Sequence, residues 1–162
     1  MHTDDIDAWF SRCGNRGPRL INTYALTETA GRVTWHEYVS GETTTPGTIG
    51  RPVADAEVFL LDTCRVTVAE GDVGELYLGG PMIARVYLGN EALTAERFVK
   101  HEPVDGKPRA LYRTGDHARW SDSGELVFVG RQDNQVKLRG HRIDLADIEQ
   151  AVCKHPGVAD AA

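Results

Sequence analysis

Residues 20–30 read LINTYALTETA and place an amide (Asn22), an aromatic ring (Tyr24), a hydroxyl (Thr27) and a carboxylate (Glu28) within seven positions. A short polar loop after a strand is a common place for ligand contacts, because the strand fixes the base of the loop. A phenol ring can lie against a flat heterocycle, and a glutamate can hold a hard cation such as Mg²⁺ through oxygen. The same residues also describe a capped turn with a solvated glutamate.

Three further clusters carry chemistry. YRTGD, Tyr112 to Asp116, sets an aspartate after a glycine at the end of a strand candidate. An ionised carboxylate offers two acceptor oxygens, enough for a ribose diol; the alternative is an exposed aspartate in a type I or II turn. GRQDNQVKLRGHR, residues 130–142, gathers Arg131, Lys137, Arg139 and Arg142 around two glycines. Four cations in a chain of net charge −6 point to an acidic ligand or to a solvated basic strand face. The glycines of GELYLGG and ARVYLG fit no phosphate-loop or dinucleotide pattern, so strand-end turns are expected there. No G-x-S-x-G elbow is present to support a serine triad.

Composition narrows the classes. With 18 basic and 24 acidic residues the chain is not one that coats nucleic acid, although a bound nucleotide needs only a few well-placed groups. Three scattered cysteines fit reduced thiols in a cytoplasmic protein better than a disulfide frame. The acidic start, MHTDDIDAWF, is no signal peptide, and no run reaches the roughly 18 apolar residues of a membrane span. Six histidines without H-x-x-H spacing give no structural metal site.

These clusters need elements to position them. Ile6, Trp9, Phe10 and Cys13 form one helical stripe, capped by Thr3 or Asp4 and ended by Gly14. RLINTY is a short strand, and residues 40–48 are a polar loop. Strands are expected at EVFLLD, GELYLGG, ALYRTGDHARW and GELVFVGR, with SDSG (121–124) as a hairpin turn between the last two. NEALTAERFV, 90–99, reads as a short helix. Residues 134–140 read as a strand and 144–154 as a helix with Leu145, Ile148 and Val152 on one face, stopped by HPG.

In their order, the clusters resemble the adenylate-forming enzymes, and among them the adenylation domains of nonribosomal peptide synthetases. NTYALTE is similar to that family's N-x-Y-G-P-T-E, and GELYLGGPMIARVYLGNEALTAERFV to G-E-L-x-I-G-G-x-G-x-A-x-G-Y-L followed by L-T-x-E-R-F. YRTGDHARW resembles Y-R-T-G-D-x-x-R, and GRQDNQVKLRGHRIDLADIEQAV resembles G-R-x-D-x-Q-V-K-I-R-G-x-R-I-E-x-x-E-I-E. The resemblance covers about residues 20–162.

The resemblance implies ATP- and Mg²⁺-dependent activation of an amino acid or other small carboxylic acid to an acyl-adenylate. The acyl group then passes to the phosphopantetheine thiol of a carrier protein. It implies that Tyr24 stacks on adenine, Asn22 lines the same pocket, Thr27 reaches the phosphates and Glu28 helps hold Mg²⁺. Asp116 would bind the ribose hydroxyls, with Phe128 and Arg131 also in the nucleotide site. Asp133 matches the hinge between the lobes, Gly140 the wall of the pantetheine tunnel, and Thr23, Gly31 and Arg32 fall near the acyl pocket. Ala25 and Leu26 depart from the family's Gly and Pro, Val86 from a Gly, and Phe128 from a common Tyr. A positive φ at Ala25 would cost about 1 kcal/mol or more.

The fold class implied is mixed α/β (α+β). Residues 1–50 would be the end of a large α/β lobe, reduced to a helix, a strand and a loop. Residues 51–132 would be a distorted barrel-like β subdomain, and 133–162 the hinge and the start of a small lobe. The family's phosphate loop and catalytic lysine match nothing here, so the remainder of the adenylation domain is an expected partner and little catalysis is expected of this chain alone. A nonenzymatic nucleotide-binding or interaction piece, and an acyl-CoA ligase branch of the same superfamily, are the alternatives.

Overall fold

The structure, a computed structural model, describes residues 3–102, 106–131, 135–138, 141–155, 157 and 158. Contacts divide the chain into two units, Met1–Gly130 and Arg131–Ala162.

The first unit opens with α1 (Thr3–Cys13), formed on the stripe read from the sequence. Eight strands follow: β1 (Leu20–Leu26), β2 (Gly31–Tyr38), β3 (Thr48–Pro52), β4 (Glu57–Leu61), β5 (Gly74–Gly79), β6 (Phe98–His101), β7 (Arg109–Trp120) and β8 (Leu126–Arg131). A short helix, α2 (Glu91–Arg97), precedes β6. The strands pair antiparallel in the order β1-β2-β3-β8-β7-β5-β4, with β6 also on β7. The mixed α and β fold class is therefore the one the sequence implies.

Two points in the segment reading are corrected. Residues 1–50 hold more than a helix, a strand and a loop, because β2 and the start of β3 lie there too. GRVTWHEY hides its strand by carrying Arg, His and Glu among its β-formers. Its buried face is partly polar: Thr34 is fully buried and donates to Ile49 O. The helix expected over 90–99 ends at Arg97, since Phe98 and Val99 pair with Tyr112 and Leu111 of β7. Asn90 starts that helix by accepting from Leu93 N at 3.0 Å.

The core lies on the sheet. Val33, Ile49, Leu60, Leu76, Leu78, Ala118 and Leu126 form one buried cluster, against which Tyr24, Leu26 and Phe128 pack. A second contains Leu61, Tyr77, Val99 and Leu111. Each fully buried leucine contributes about 1.5–3 kcal/mol. Glycines allow two close approaches beside β3. Gly50 has φ +85°, and a Cβ there would lie 1.9 Å from Trp35 O; a Cβ at Gly47 would lie 2.6 Å from Phe128 O.

In the second unit β9 (Gln135–Leu138) pairs antiparallel with β10 (His141–Asp144), and α3 (Leu145–Cys153) follows. The strand and helix were expected; β10, whose HRID carries little apolar signal, was not.

Candidate functional site: an aromatic–carboxylate cluster

The site begins with a bulge. On β5, Glu75 faces His117 and Tyr77 faces Arg113, so the single residue Leu76 stands opposite Thr114, Gly115 and Asp116. The extra residues are accommodated by a left-handed backbone at Gly115 (φ +77°). Thr114 clamps the bulge, its hydroxyl donating to Leu76 O at 2.7 Å and accepting from Asp116 N at 2.9 Å. Asp116 is consequently an inward residue of a long strand, only 2% exposed, and not a turn residue after a strand end. TGD reads as a turn from sequence because the same glycine geometry serves turns and bulges alike.

Burying a carboxylate is costly without hydrogen bonds. Asp116 receives one from the Tyr24 hydroxyl, 92 residues away in the chain. Tyr24 lies in β1, on the strand face it shares with Asn22. Asn22 spends an amide N–H on Thr48 O at 2.8 Å, joining β1 to β3. The register of β1 against β2 shifts between Tyr24 and Ala25. Ala25 is not among the residues with positive φ; the left-handed residue is Ala30 (φ 52°), which closes the turn after β1.

Glu28 sits in that turn, the 3-10 segment Thr27–Thr29, and is 9% exposed. Its Oε1 accepts from the Tyr87 hydroxyl at 2.5 Å, and Tyr87 Oη lies 3.1 Å from Tyr112 Oη. Tyr87 spends its one proton on the carboxylate, so Tyr112 is the donor to Tyr87. The backbone adds Ala84 N to Glu28 O at 2.7 Å. Burial, and next the bond to Glu28, hold the Tyr87 phenol far above the ordinary tyrosine range. Sequence reasoning missed Tyr87 and the fully buried Tyr112 as supports of Glu28. Their signal was present, since both tyrosines fall inside the quoted motifs ARVYLG and YRTGD.

The other expected residues distribute as follows. Phe128 packs on the core cluster that also receives Tyr24. Thr27 is exposed. Thr23, Gly31 and Arg32 are exposed, and Thr23 alternates away from Tyr24 on β1. Arg131 ends β8 and is grouped with the second unit. Asp133 and Gly140, like Arg139, lie outside the described residues.

For a metal, Glu28 is a hard oxygen donor. Among the described residues no group of three or more His, Cys, Asp or Glu side chains is placed to hold an ion. That donor set fits Mg²⁺, which keeps waters and takes one or two carboxylates plus phosphates, better than a cation needing a protein cage. No helix among the described residues is long and apolar enough to cross a membrane.

The described residues thus hold a part-buried Tyr24–Asp116 contact and a buried Glu28 turn on one antiparallel sheet of a mixed α and β fold, and comparison with known proteins says which family this is. The profile of the family described as AMP-binding enzyme matches residues 2–88. A dimodular nonribosomal peptide synthase of Bacillus subtilis is 41% identical over 159 residues, 97% of this chain and 7% of the relative. The phosphinothricin tripeptide synthetase PhsB of Streptomyces viridochromogenes is 46% identical over 141 residues, 87% of this chain and 12% of the relative. The solved structure of holo-PA1221, a nonribosomal peptide synthetase protein containing adenylation and carrier domains, superposes with a TM-score of 0.88 at 34% identity, over 100% of this chain and 28% of that one. The chain thus belongs to the AMP-binding enzyme family, in its nonribosomal peptide synthetase adenylation branch. It spans only 7% and 12% of the two curated relatives.

Proposed function

We propose that this chain supplies the adenosine- and metal-contacting part of an adenylation domain that activates a small carboxylic acid, such as an amino acid, with ATP. The acyl group would pass to a phosphopantetheinyl carrier protein. Mg²⁺, when bound, would neutralise charge on the phosphates. The observation that carries the reading is the Tyr24–Asp116 bond, which joins the two motif positions the resemblance assigns to adenine and ribose.

Chemically, the chain's own share is positioning. The Tyr24 ring offers a face for a purine, and the Asp116 carboxylate accepts from the ribose diol in place of the Tyr24 hydroxyl. Glu28, held by Tyr87, presents a carboxylate to the metal. Asn22, Thr27, Phe128 and Arg131 complete the proposed nucleotide contacts. Thr23, Gly31 and Arg32 are assigned to the acyl side, Asp133 to the hinge and Gly140 to the thiol route. Residues 1–50, 51–132 and 133–162 would correspond to the end of the large lobe, its β subdomain, and the hinge with the first part of the small lobe.

Calorimetric titration with AMP tests the reading. Asp116→Ala is expected to weaken binding roughly 10- to 100-fold, the value of hydrogen bonds to a charged group. Tyr24→Phe keeps the ring and removes the hydroxyl that competes with ribose, so affinity should hold or rise. A Tyr24→Phe loss as large as that of Asp116→Ala would contradict this arrangement. No AMP binding by a stably folded chain would favour an interaction module instead.

A further inference from the structure

A cleft of about 460 Å³ opens where β2, the 39–47 loop, β3 and the 121–125 turn meet. Trp35, His36, Thr44, Arg51, Ser123 and Glu125 are among the residues that line it. None of them belongs to the proposed adenosine site. Within it, His36 Nδ1 lies 3.1 Å from Glu125 Oε1, and His36 Nε2 lies 3.5 Å from Thr44 Oγ1.

Proton arithmetic orders the three groups. An ionised carboxylate only accepts, so the Nδ1 facing Glu125 carries the proton. In the neutral ring Nε2 then has a lone pair, and the Thr44 hydroxyl must be the donor to it. Hydroxyl, imidazole and carboxylate in this order are the recurring arrangement of an activated nucleophile, and the hydroxyl–imidazole distance is often loose before substrate arrives.

The surroundings hold the parts in place. The His36 and Glu125 side chains are 11% and 21% exposed. The Tyr38 ring meets the His36 ring edge-on at 4.8 Å and restricts its plane. Glu125 closes a tight turn: Ser121 N donates to Glu125 O at 2.8 Å, and Glu125 N to Ser121 Oγ at 3.1 Å. In the exposed loop 41–47 only Thr44 is half-buried, and Thr45 O anchors its neighbour by accepting from Thr48 N at 3.1 Å. Arg51, which donates to Ser123 O at 3.0 Å, brings positive charge to the same cleft. Trp35, 41% exposed, offers an apolar wall.

We propose that Thr44 and His36, positioned by Glu125, form a nucleophilic site that accepts the acyl group of a small activated ester and releases it to water. Thr44 Oγ1 attacks the ester carbonyl carbon while its proton passes to His36 Nε2. The bond to the alcohol breaks, and the alcohol leaves with that proton. Water repeats the sequence on acyl-Thr44, so that ester and water become acid and alcohol and the hydroxyl is restored. Arg51 supplies the charge that favours the carbonyl oxygen as it becomes negative. This activity does not rest on the adenylation reading.

The experiment follows p-nitrophenyl acetate hydrolysis by the full 162-residue chain, with peptide mapping of the acetylated protein. Expected are release above buffer and an acetyl group on the Thr44 peptide. Thr44→Val, close in shape, and His36→Gln should each lower the rate about 100-fold, while Thr44→Ser retains it. Glu125→Gln should lower the rate and displace the pH profile, which a merely structural role would not do. No release above buffer, an undiminished rate in a folded Thr44→Val variant, or acetyl groups on lysines alone would overturn the proposal. Thr44→Val keeps the test valid if His36→Gln fails to fold.

Discussion

At the scale of single residues, the candidate site is two buried carboxylates, Asp116 and Glu28, each accepting from a tyrosine hydroxyl. Tyr87 is the most informative member, because burial and Glu28 together keep its phenol neutral far above the usual tyrosine range of about 10. Burial also raises Tyr77, with Glu75 adding to it, and Tyr38. Below pH ~10 the folded and unfolded chains both hold these protons, and stability is insensitive to them. Above it the unfolded chain releases protons that the native state keeps, so unfolding is favoured as pH rises. The slope is at most about 1.4 kcal/mol per pH unit for each tyrosine. Urea midpoints should therefore hold up to about pH 10 and fall beyond it, and Tyr87→Phe should flatten the fall. The same substitution should cost about 1–2 kcal/mol at neutral pH, because buried Glu28 loses a donor. A wild-type midpoint unchanged to pH 11 would show that these hydroxyls are open to solvent.

At the scale of elements, the candidate site is placed by irregularities more than by regular strands. The bulge at Thr114–Asp116 turns a carboxylate inward, and the register shift of β1 falls directly after Tyr24. Gly50 does equivalent work for β3, where a second register shift lies and the backbone passes against Trp35 O. Gly50→Ala combines a left-handed φ with overpacking against backbone and should destabilise by about 2–5 kcal/mol. Thermal denaturation measures this; a loss below about 1 kcal/mol would mean that β2 and β3 separate freely. The regular elements were legible because periodicity reports burial: α1, β1, β4, β5, β7 and β8 all fall on the runs expected. β2 and β10 were not, since their sequences mix polar residues into strand positions whose partners are set by distant segments. No periodic signal reports a bulge, so Asp116 looked like a turn residue.

At the scale of the whole molecule, the two units have different contents. The first contains both core clusters and the Tyr24–Asp116 bond, all within residues 24–126. A chain ending at Arg131, which keeps β8 complete, should unfold cooperatively with a midpoint near that of the full chain. Loss of the transition in urea would show that the second unit is required for the sheet. Catalysis is a different matter, for the sequence holds no Gly-, Ser- and Thr-rich phosphate loop. Substrate-dependent ATP–pyrophosphate exchange by the 162-residue chain alone should be absent, and clear exchange would refute that expectation.

The sequence by itself determined the family, the residue types of the candidate site and the main strands, because motif order and hydrophobic period are local properties of a chain. Which residues meet was decided only by tertiary structure. Tyr24 finds Asp116 across 92 positions, Glu28 finds Tyr87 across 59, and His36 finds Glu125 across 89. Antiparallel register and a glycine-permitted bulge set those meetings, and both depend on what packs opposite rather than on the residues themselves.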